Sequence, residues 1–262
     1  ASKKIFVFNN EGMSDPFFKS IPHFKPKSLY SVAAGLKPYA LLEVIYKRTK
    51  QVTDFHFFDF SEDALDYQRA IREIYSMDEL ISYLAEKLLK NQLFTTNQSY
   101  EELRKIAFEK FHEHLKEFFY NDFEYFRNVI QTVNPSFTKL DIITHPEILI
   151  EKIDFNEKFM IWISNIWNTN ESLLRMGRKK LDENFMEFVH KLGKEINMNS
   201  WASVNKGSHN GFLGKDKNNI HGIITCGHSS IDLNDFRLIS NMEKVSLGAI
   251  SSKHDHLEPL AN

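Results

Sequence analysis

The stretch that decides the fold is residues 29–35, LYSVAAG, a mostly apolar run that ends in a glycine. A run of this length and composition predicts a short buried strand, and Gly35 predicts the turn that closes it. Pro38 follows three residues later, a position that suits the first turn of a helix. Residues 39–48 supply apolar positions at helical spacing. The stretch therefore predicts a strand, a glycine turn and a helix in succession.

The same strand-to-helix order recurs along the chain. Residues 55–60, FHFFDF, predict a second buried strand, and Ser61 suits the N-cap of the helix that follows it. Residues 140–143 and 159–164 predict two more strands. Apolar residues at helical spacing then predict one long helix over residues 171–196. Buried strands that alternate with helices are typical of a Rossmann-like α/β fold, a mostly parallel sheet with helices on both faces.

Two parts of the chain depart from this alternation. Residues 77–131 have helical spacing only, which predicts an all-helical insertion or cap. Residues 201–204 and 220–226 predict a pair of strands at an antiparallel C-terminal edge. We expect residues 1–262 to form a single α/β domain, with residues 251–262 as a loose tail.

Composition narrows the class of protein. Of the 262 residues, 42% are hydrophobic and 26% are charged, a profile typical of a folded globular chain. The net charge of −2 argues against a dedicated nucleic-acid binder and favours a small-molecule substrate. A single cysteine, Cys226, fits a reducing compartment, and no apolar run approaches the ~20 residues that span a bilayer. These features predict a cytoplasmic protein without a membrane segment, and they leave the oligomeric state open.

Polar and small residues occur where the predicted strands end. Gly35 follows the first strand, Asp59 the second, Asp141 the third, and Ser164 with Asn165 the fourth. In open α/β sheets, ligands bind beyond the carboxyl ends of the strands. Asp59 lies 24 positions after Gly35, close to the spacing at which an acidic residue binds the hydroxyls of a ribose. The sequence therefore predicts a nucleoside site at this edge.

The turn itself, residues 35–39 (GLKPY), bears on which nucleoside cofactor would fit. A dinucleotide pyrophosphate needs several glycines, because its phosphates must approach backbone N–H groups closely at the start of a helix. Here the turn has one glycine, and Pro38 removes an N–H that a phosphate would use. S-adenosylmethionine carries no phosphate and needs one close backbone approach and a carboxylate for its ribose. Gly35 and Asp59 therefore favour S-adenosylmethionine over NAD.

Over residues 28–75 and 138–226, the chain resembles the class I S-adenosylmethionine-dependent methyltransferase superfamily, with residues 77–131 as an insertion. The pieces that carry the resemblance are residues 32–35 (VAAG), 57–60 (FFDF) and 161–165 (IWISN), with the Asp141 strand. The resemblance implies a set of cofactor-binding residues, namely Ala33, Gly35, Asp59, Phe60, Asp141, Ile142, Ser164 and Asn165.

By the same resemblance, catalysis is in-line attack of a substrate nucleophile on the methyl group of the cofactor. The protein then supplies alignment, and a base is needed only if the nucleophile begins protonated. Candidates for the catalytic side chains are Asn165, Trp167, His145 and His228, without assigned roles. We expect no metal, since the sequence has no spaced set of metal ligands in its predicted core.

Plainer interpretations of these residues stay open. Gly35 could be an ordinary strand-to-helix turn, and Asp59 could cap the next helix. Asp141 could begin a helix or face solvent, and Ser164 with Asn165 could cap a turn. Two other functions also stay open. One is a non-catalytic binding protein on the same scaffold, which the single glycine favours. The other is a different nucleotide-using enzyme, such as a nucleotide-sugar transferase or a dehydrogenase.

Overall fold

The structure is a computed structural model that describes residues 5–8, 25–51, 53–90, 98–164, 166, 170–195, 200–206, 209–216 and 219–227. Its contacts divide the chain into two compact units. The first unit comprises Ala1–Ser14 and Ser31–Lys139, and the second comprises Asp15–Tyr30 and Leu140–Asn262. Within the described residues, no helix is long and apolar enough to cross a membrane.

Strands and helices alternate at the beginning of the first unit, and three further helices follow. Its elements are the end of β1 (Ser28–Val32), α1 (Lys37–Thr49), β2 (Asp54–Asp59), α2 (Glu62–Glu73), α3 (Met77–Lys90), α4 (Tyr100–Phe118), α5 (Phe123–Gln131) and β3 (Ser136–Lys139). The strands lie in the order β3-β2-β1. β2 and β3 are parallel, in a register that pairs His56 with Ser136 and Asp59 with Lys139.

Local chemistry explains where these helices begin. Pro38 lies in the first turn of α1, where its fixed φ suits a helix and its missing N–H costs nothing. α2 follows Ser61 and has Glu62 and Asp63 in its first turn, where acidic side chains interact favourably with the helix dipole. α4 begins at a capping box in which Ser99 and the residue three places on, Glu102, satisfy each other's backbone N–H groups.

An aromatic layer holds α4 against α5. It consists of the rings of Phe111, His114, Phe118, Phe119 and Phe126, with ring centroids 5.0 Å apart between Phe119 and Phe126 and 5.3 Å apart between His114 and Phe119. Tyr39 of α1 packs edge-on against Phe126 at 6.1 Å. Edge-on aromatic pairs at these distances stabilise a core beyond the area that they bury. The layer therefore joins residues 77–131 to the strand-bearing part of the first unit.

His114 is the polar member of the aromatic layer. It is fully buried, and neither of its ring nitrogens has a hydrogen-bond partner. Burial lowers the pKa of His114 to about 3, because the charged imidazolium would lose its hydration without gaining a partner. The imidazole is therefore neutral in the folded protein at ordinary pH.

Two arginines join the ends of α2 and α5 reciprocally. Arg127 of α5 donates to the carbonyl oxygens of Ile71 and Arg72, at 2.9 and 2.7 Å. Arg72 of α2 donates in turn to the carbonyl oxygens of Ile130 and Val133. The last carbonyls of a helix have no partner within the helix and carry partial negative charge, so each guanidinium satisfies the end of the other helix.

The second unit contains the start of β1, α6 (Pro146–Ile150), β4 (Phe159–Trp162), α7 (Asn170–Met176), α8 (Arg178–Glu195), β5 (Ser200–Lys206), β6 (His209–Asp216) and β7 (Asn219–Gly227). Its strands β4, β7, β6 and β5 lie in that order. β4 and β7 are parallel, with Phe159 opposite Gly222, whereas β6 is antiparallel to both β5 and β7.

Three sequence predictions are corrected in the second unit. Residues 140–143 do not form a strand, since β3 ends at Lys139 and the chain then turns. The strand predicted over residues 159–164 ends at Trp162, and Ser164 adopts a φ of 52° that no strand contains. The single helix predicted over residues 171–196 is two helices, because Gly177, with a φ of 73°, breaks it.

The coarser prediction is confirmed: the protein is an α/β protein with parallel strands and connecting helices. Residues 77–131 contain α3, α4 and α5 and no strand among the described residues. Their role as an insertion or cap stays a prediction, as does a single domain over residues 1–262. Residues 251–262 lie outside the described residues.

Candidate functional site

The first unit places a glycine turn beside the end of β2. Gly35 has a φ of 58°, in the left-handed region where a side chain is strained and glycine is not. The N–H of Ala33 donates to the carbonyl oxygen of Phe58 at 3.1 Å, so the chain leaving β1 stays paired to β2 until the residue before Asp59. The structure therefore brings Ala33, Gly35, Asp59 and Phe60 to the same end of two neighbouring strands.

Ala33, Gly35, Asp59 and Phe60 are here called the glycine-turn site, and Asp59 is its acidic group. Only 9% of the residue is exposed, and its Oδ1 atom accepts a hydrogen bond from the N–H of Ser61 at 2.9 Å. A carboxylate accepts about four hydrogen bonds, which is why this group can bind several donors at once. The next residue, Phe60, is 40% exposed and offers an aromatic face at the same strand end.

The backbone of Gly35 is held from two sides. Its carbonyl oxygen accepts a hydrogen bond of 2.9 Å from Nε2 of Gln68, a fully buried side chain of α2. Its N–H donates to the carbonyl oxygen of Phe6 at 2.7 Å. Phe6 belongs to residues 5–8, here called the N-terminal strap. The hydroxyl of Tyr67, the neighbour of Gln68 on α2, donates to the carbonyl oxygen of Val7 at 2.8 Å.

The glycine-turn site combines the two features that the sequence predicts for a ribose site. A buried carboxylate, Asp59, is the group that binds two adjacent hydroxyls, and the left-handed Gly35 permits a close approach to the backbone. In the structure, the N–H and the carbonyl oxygen of Gly35 both have protein partners, so the features that indicate a ligand are the carboxylate and the shape of the turn.

The second unit holds Asp141, Ile142, His145 and Ser164. Asp141 lies in the turn after β3, where its Oδ1 accepts from the N–H of Ile143 at 3.2 Å and its Oδ2 from Arg175 at 2.6 Å. The turn forms because an aspartate readily bonds the backbone two residues on. The predicted strand over residues 140–143 is therefore wrong, although Asp141 still lies two residues after a strand, β3. Its predicted role in binding the cofactor stays a prediction.

The other predicted residues of the second unit have varied surroundings. Ile142 and Ser164 are buried, with 3% and 5% of each residue exposed, and Ser164 lies two residues after the end of β4. His145 precedes α6, and its exposed ring has Nδ1 3.2 Å from Oε1 of Glu147. Asn165, Trp167 and His228 lie outside the described residues. No role in catalysis follows from these positions alone.

Sequence reasoning missed Gln68, Tyr67 and the N-terminal strap as parts of the glycine-turn site. A signal for Gln68 exists, since it occupies the same helical face as the buried residues Ala64 and Ile71. A polar side chain on an apolar helix face needs a partner, and here the partner is Gly35. The hydrogen bonds from the strap to Gly35 and Tyr67 have no comparable signal, because backbone carbonyl groups accept them.

Comparison of the chain with protein-family models, with curated proteins and with solved structures finds no match. Across the described part of the chain, no group of three or more His, Cys, Asp or Glu side chains could hold a metal ion. A function for this chain is therefore inferred from the geometry of the glycine-turn site.

Proposed function

We propose that the protein binds S-adenosylmethionine and transfers its methyl group to a small-molecule acceptor. One observation carries the proposal, namely the buried carboxylate of Asp59 at the carboxyl end of β2, beside the left-handed turn at Gly35. In parallel α/β sheets, an acidic residue at this place binds the hydroxyls of a ribose.

The fold and the composition support the same proposal. Parallel strands joined by helices are the setting in which such nucleoside sites occur. Helices on both faces, an antiparallel C-terminal edge and a helical insertion at residues 77–131 are the finer features that the proposed family membership adds. A cytoplasmic location and a small acceptor belong to the proposal as well, favoured by the net charge of −2 and the single cysteine, Cys226.

The proposal gives each described residue of the glycine-turn site a task. Asp59 binds the ribose hydroxyls, Gly35 lets the cofactor approach the chain, and Phe60 packs against an apolar face of the nucleoside. The bound cofactor supplies an electrophilic methyl group, and the protein holds the acceptor in line with it. The other predicted residues, namely Asp141, Ile142, Ser164, Asn165, Trp167, His145 and His228, stay predictions of the sequence and carry no part of this proposal.

The proposal is tested by calorimetric titration of the full chain with a panel of nucleoside ligands. We expect binding of S-adenosylmethionine and of its demethylated product, S-adenosylhomocysteine, with dissociation constants of about 1–100 μM, typical of cofactors and substrates. NAD and a nucleotide sugar should bind at least about tenfold more weakly, because the turn lacks the glycines that a pyrophosphate needs. The proposal would be overturned if circular dichroism shows that the protein is folded and it binds neither S-adenosylmethionine nor S-adenosylhomocysteine.

A further inference from the structure

The N-terminal strap lies directly on the glycine turn. The carbonyl oxygen of Phe6 accepts the N–H of Gly35, and the carbonyl oxygen of Val7 accepts the hydroxyl of Tyr67. The side chains of Ile5 and Val7 are buried, with 8% and 2% of each residue exposed, whereas Phe6 is 37% exposed. Alternate residues of the strap thus face the protein, and its backbone is bonded to the turn and to α2.

One of these contacts takes up the backbone donor of the glycine turn. The N–H of Gly35 is the donor that the left-handed turn presents beyond the end of β1, and Phe6 takes it at 2.7 Å. The Gly35 carbonyl is held by Gln68, whose Oε1 atom is buried without a hydrogen-bond partner. The two groups on Gly35 therefore differ. The carbonyl is bonded to a side chain of a helix, whereas the N–H is bonded to the backbone of the N-terminal strap, which also buries the side chains of Ile5 and Val7.

We propose that the N-terminal strap is an autoinhibitory contact that closes the glycine turn and that cofactor binding displaces it. This inference rests on the proposed function, because it takes the glycine turn as the cofactor site. When the strap leaves, the Gly35 N–H becomes available to the carboxylate of the methionine part of S-adenosylmethionine, an anionic acceptor. Tyr67 then sets the balance, since its hydroxyl holds the strap without contacting Gly35.

Such a strap changes the affinity for the cofactor by setting how much of the protein is in the open form, in which the strap has left the turn. A ligand that binds only the open form has an apparent dissociation constant that is weakened by the fraction of protein that is open. A change that loosens the strap and leaves Asp59 and Gly35 intact must therefore tighten binding. A change that loosens an unrelated buried contact must not.

The chain offers a matched pair of substitutions for this test. Tyr67→Phe removes the hydroxyl that bonds the carbonyl of Val7. Tyr30→Phe removes a buried tyrosine hydroxyl that bonds another carbonyl, that of Lys152, at 2.9 Å in the second unit. We expect Tyr67→Phe to bind S-adenosylmethionine about fivefold more tightly in calorimetry, the effect of one ordinary hydrogen bond. Tyr30→Phe should bind like the unaltered protein.

Amide hydrogen exchange, read by NMR, gives a second measure that is independent of activity. The Gly35 amide should exchange faster in Tyr67→Phe than in the unaltered protein without ligand. The amides of residues 5–8 should exchange faster when S-adenosylmethionine is added to the unaltered protein. If Tyr67→Phe binds S-adenosylmethionine with unchanged affinity, or if the amides of the strap stay protected when the ligand binds, the autoinhibitory role of the strap is overturned. Cofactor binding at the glycine-turn site then still stands. Absence of binding by all three proteins overturns the proposed function and the strap with it.

Discussion

The glycine-turn site and the aromatic layer both lie in the first unit, and both are buried, yet they treat polar groups in opposite ways. At the turn, the N–H and the carbonyl oxygen of Gly35 and the Oδ1 atom of Asp59 all have partners at 2.7–2.9 Å. In the aromatic layer, His114 is buried with neither ring nitrogen bonded. Hydrogen bonds fix the polar groups at the turn, whereas the aromatic layer is held by the packing of its rings.

This difference teaches where binding and stability reside. Oriented donors and acceptors at a strand end can recognise a polar ligand, so changes there should alter affinity. Aromatic rings around an unpartnered imidazole can recognise nothing polar from outside, but they bury a large apolar area. Changes in the layer, or in the arginines that tie it to α2, should alter the free energy of unfolding and leave affinity almost unchanged.

The largest effect is expected at Arg127, which supports the helical side of the comparison. Arg127→Met leaves the carbonyl oxygen of Ile71 without its donor, which costs about 1–3 kcal/mol for a buried group. It also removes one of the two hydrogen bonds that the carbonyl oxygen of Arg72 accepts, the other coming from Gln131 at 2.8 Å, and one such bond contributes about 1 kcal/mol. We expect urea unfolding to show a loss of about 3 kcal/mol. Arg69→Met is the matched control. Arg69 is paired with Glu62 and Asp66 at the surface, and its replacement should cost less than about 1 kcal/mol. Equal losses of unfolding free energy in the two variants would show that the hydrogen bonds of Arg72 and Arg127 between α2 and α5 do not stabilise the first unit.

The next effect concerns affinity at the glycine-turn site. Asp59→Asn keeps an oxygen for the N–H of Ser61 but removes the charge that strengthens bonds from ribose hydroxyls. A hydrogen bond to a charged group contributes about 1.5–3 kcal/mol, so we expect the dissociation constant for S-adenosylmethionine to rise about 30-fold. Asp54→Asn, the same change at the opposite end of β2, should leave it within about twofold. A similar affinity in both variants would show that the carboxylate of Asp59 does not bind the cofactor.

A smaller effect follows from the neutral His114. Its pKa is about 3 in the folded protein and about 6.5 in the unfolded chain, so below pH 6.5 the unfolded state binds the extra proton. Stability is therefore fully present above pH 6.5 and falls as the pH falls toward 3. Between pH 6 and pH 5, we expect a loss of about 1 kcal/mol from this group, measured by urea unfolding. His114→Phe should remove that part of the pH dependence, whereas His112→Asn on the same helix should keep it. A slope unchanged by His114→Phe would mean that other groups carry the acid sensitivity.

The smallest effect separates the two aspartates predicted as site residues. Asp141 is paired with Arg175, whose side chain is 38% exposed, and such partly exposed pairs contribute about 0.2–1 kcal/mol. Asp141→Asn should therefore lower the free energy of unfolding by about 0.5 kcal/mol and change cofactor affinity less than Asp59→Asn does. If the losses in affinity are equal, Asp141 is a contact of the same rank as Asp59.

The parts of the fold that follow local rules could be predicted from the sequence. The strand at residues 29–32, the glycine turn and the helix after Pro38 depend on neighbouring residues, and so does the strand that ends at Asp59. Residues 140–143 mislead because Ile142 and Ile143 are buried in a turn rather than in a strand. An apolar run indicates only that its residues are buried. The backbone conformation here follows the Asp141 side chain, which accepts a hydrogen bond from the N–H of Ile143 and so favours a turn.

The contacts that complete the glycine-turn site lie beyond local rules. Gln68 reaches Gly35 across 33 positions of sequence, and Tyr67 reaches Val7 across 60. Nothing in the composition of residues 5–8 indicates a partner, because their carbonyl groups, rather than their side chains, make the bonds. A sequence can mark Gln68 as a polar residue on an apolar face, but only the folded chain shows which backbone group it satisfies.

The most direct test of the account is to find where the cofactor binds. Ultraviolet crosslinking of radiolabelled S-adenosylmethionine to the full chain, followed by tryptic digestion, assigns the label to a peptide. Cleavage after Lys50 and after Arg69 releases residues 51–69, the peptide that contains Asp59 and Phe60. We predict label on this peptide, reduced by excess S-adenosylhomocysteine and by Asp59→Asn. Label confined to peptides from residues 98–131, and unaffected by Asp59→Asn, would contradict a cofactor site at the glycine turn.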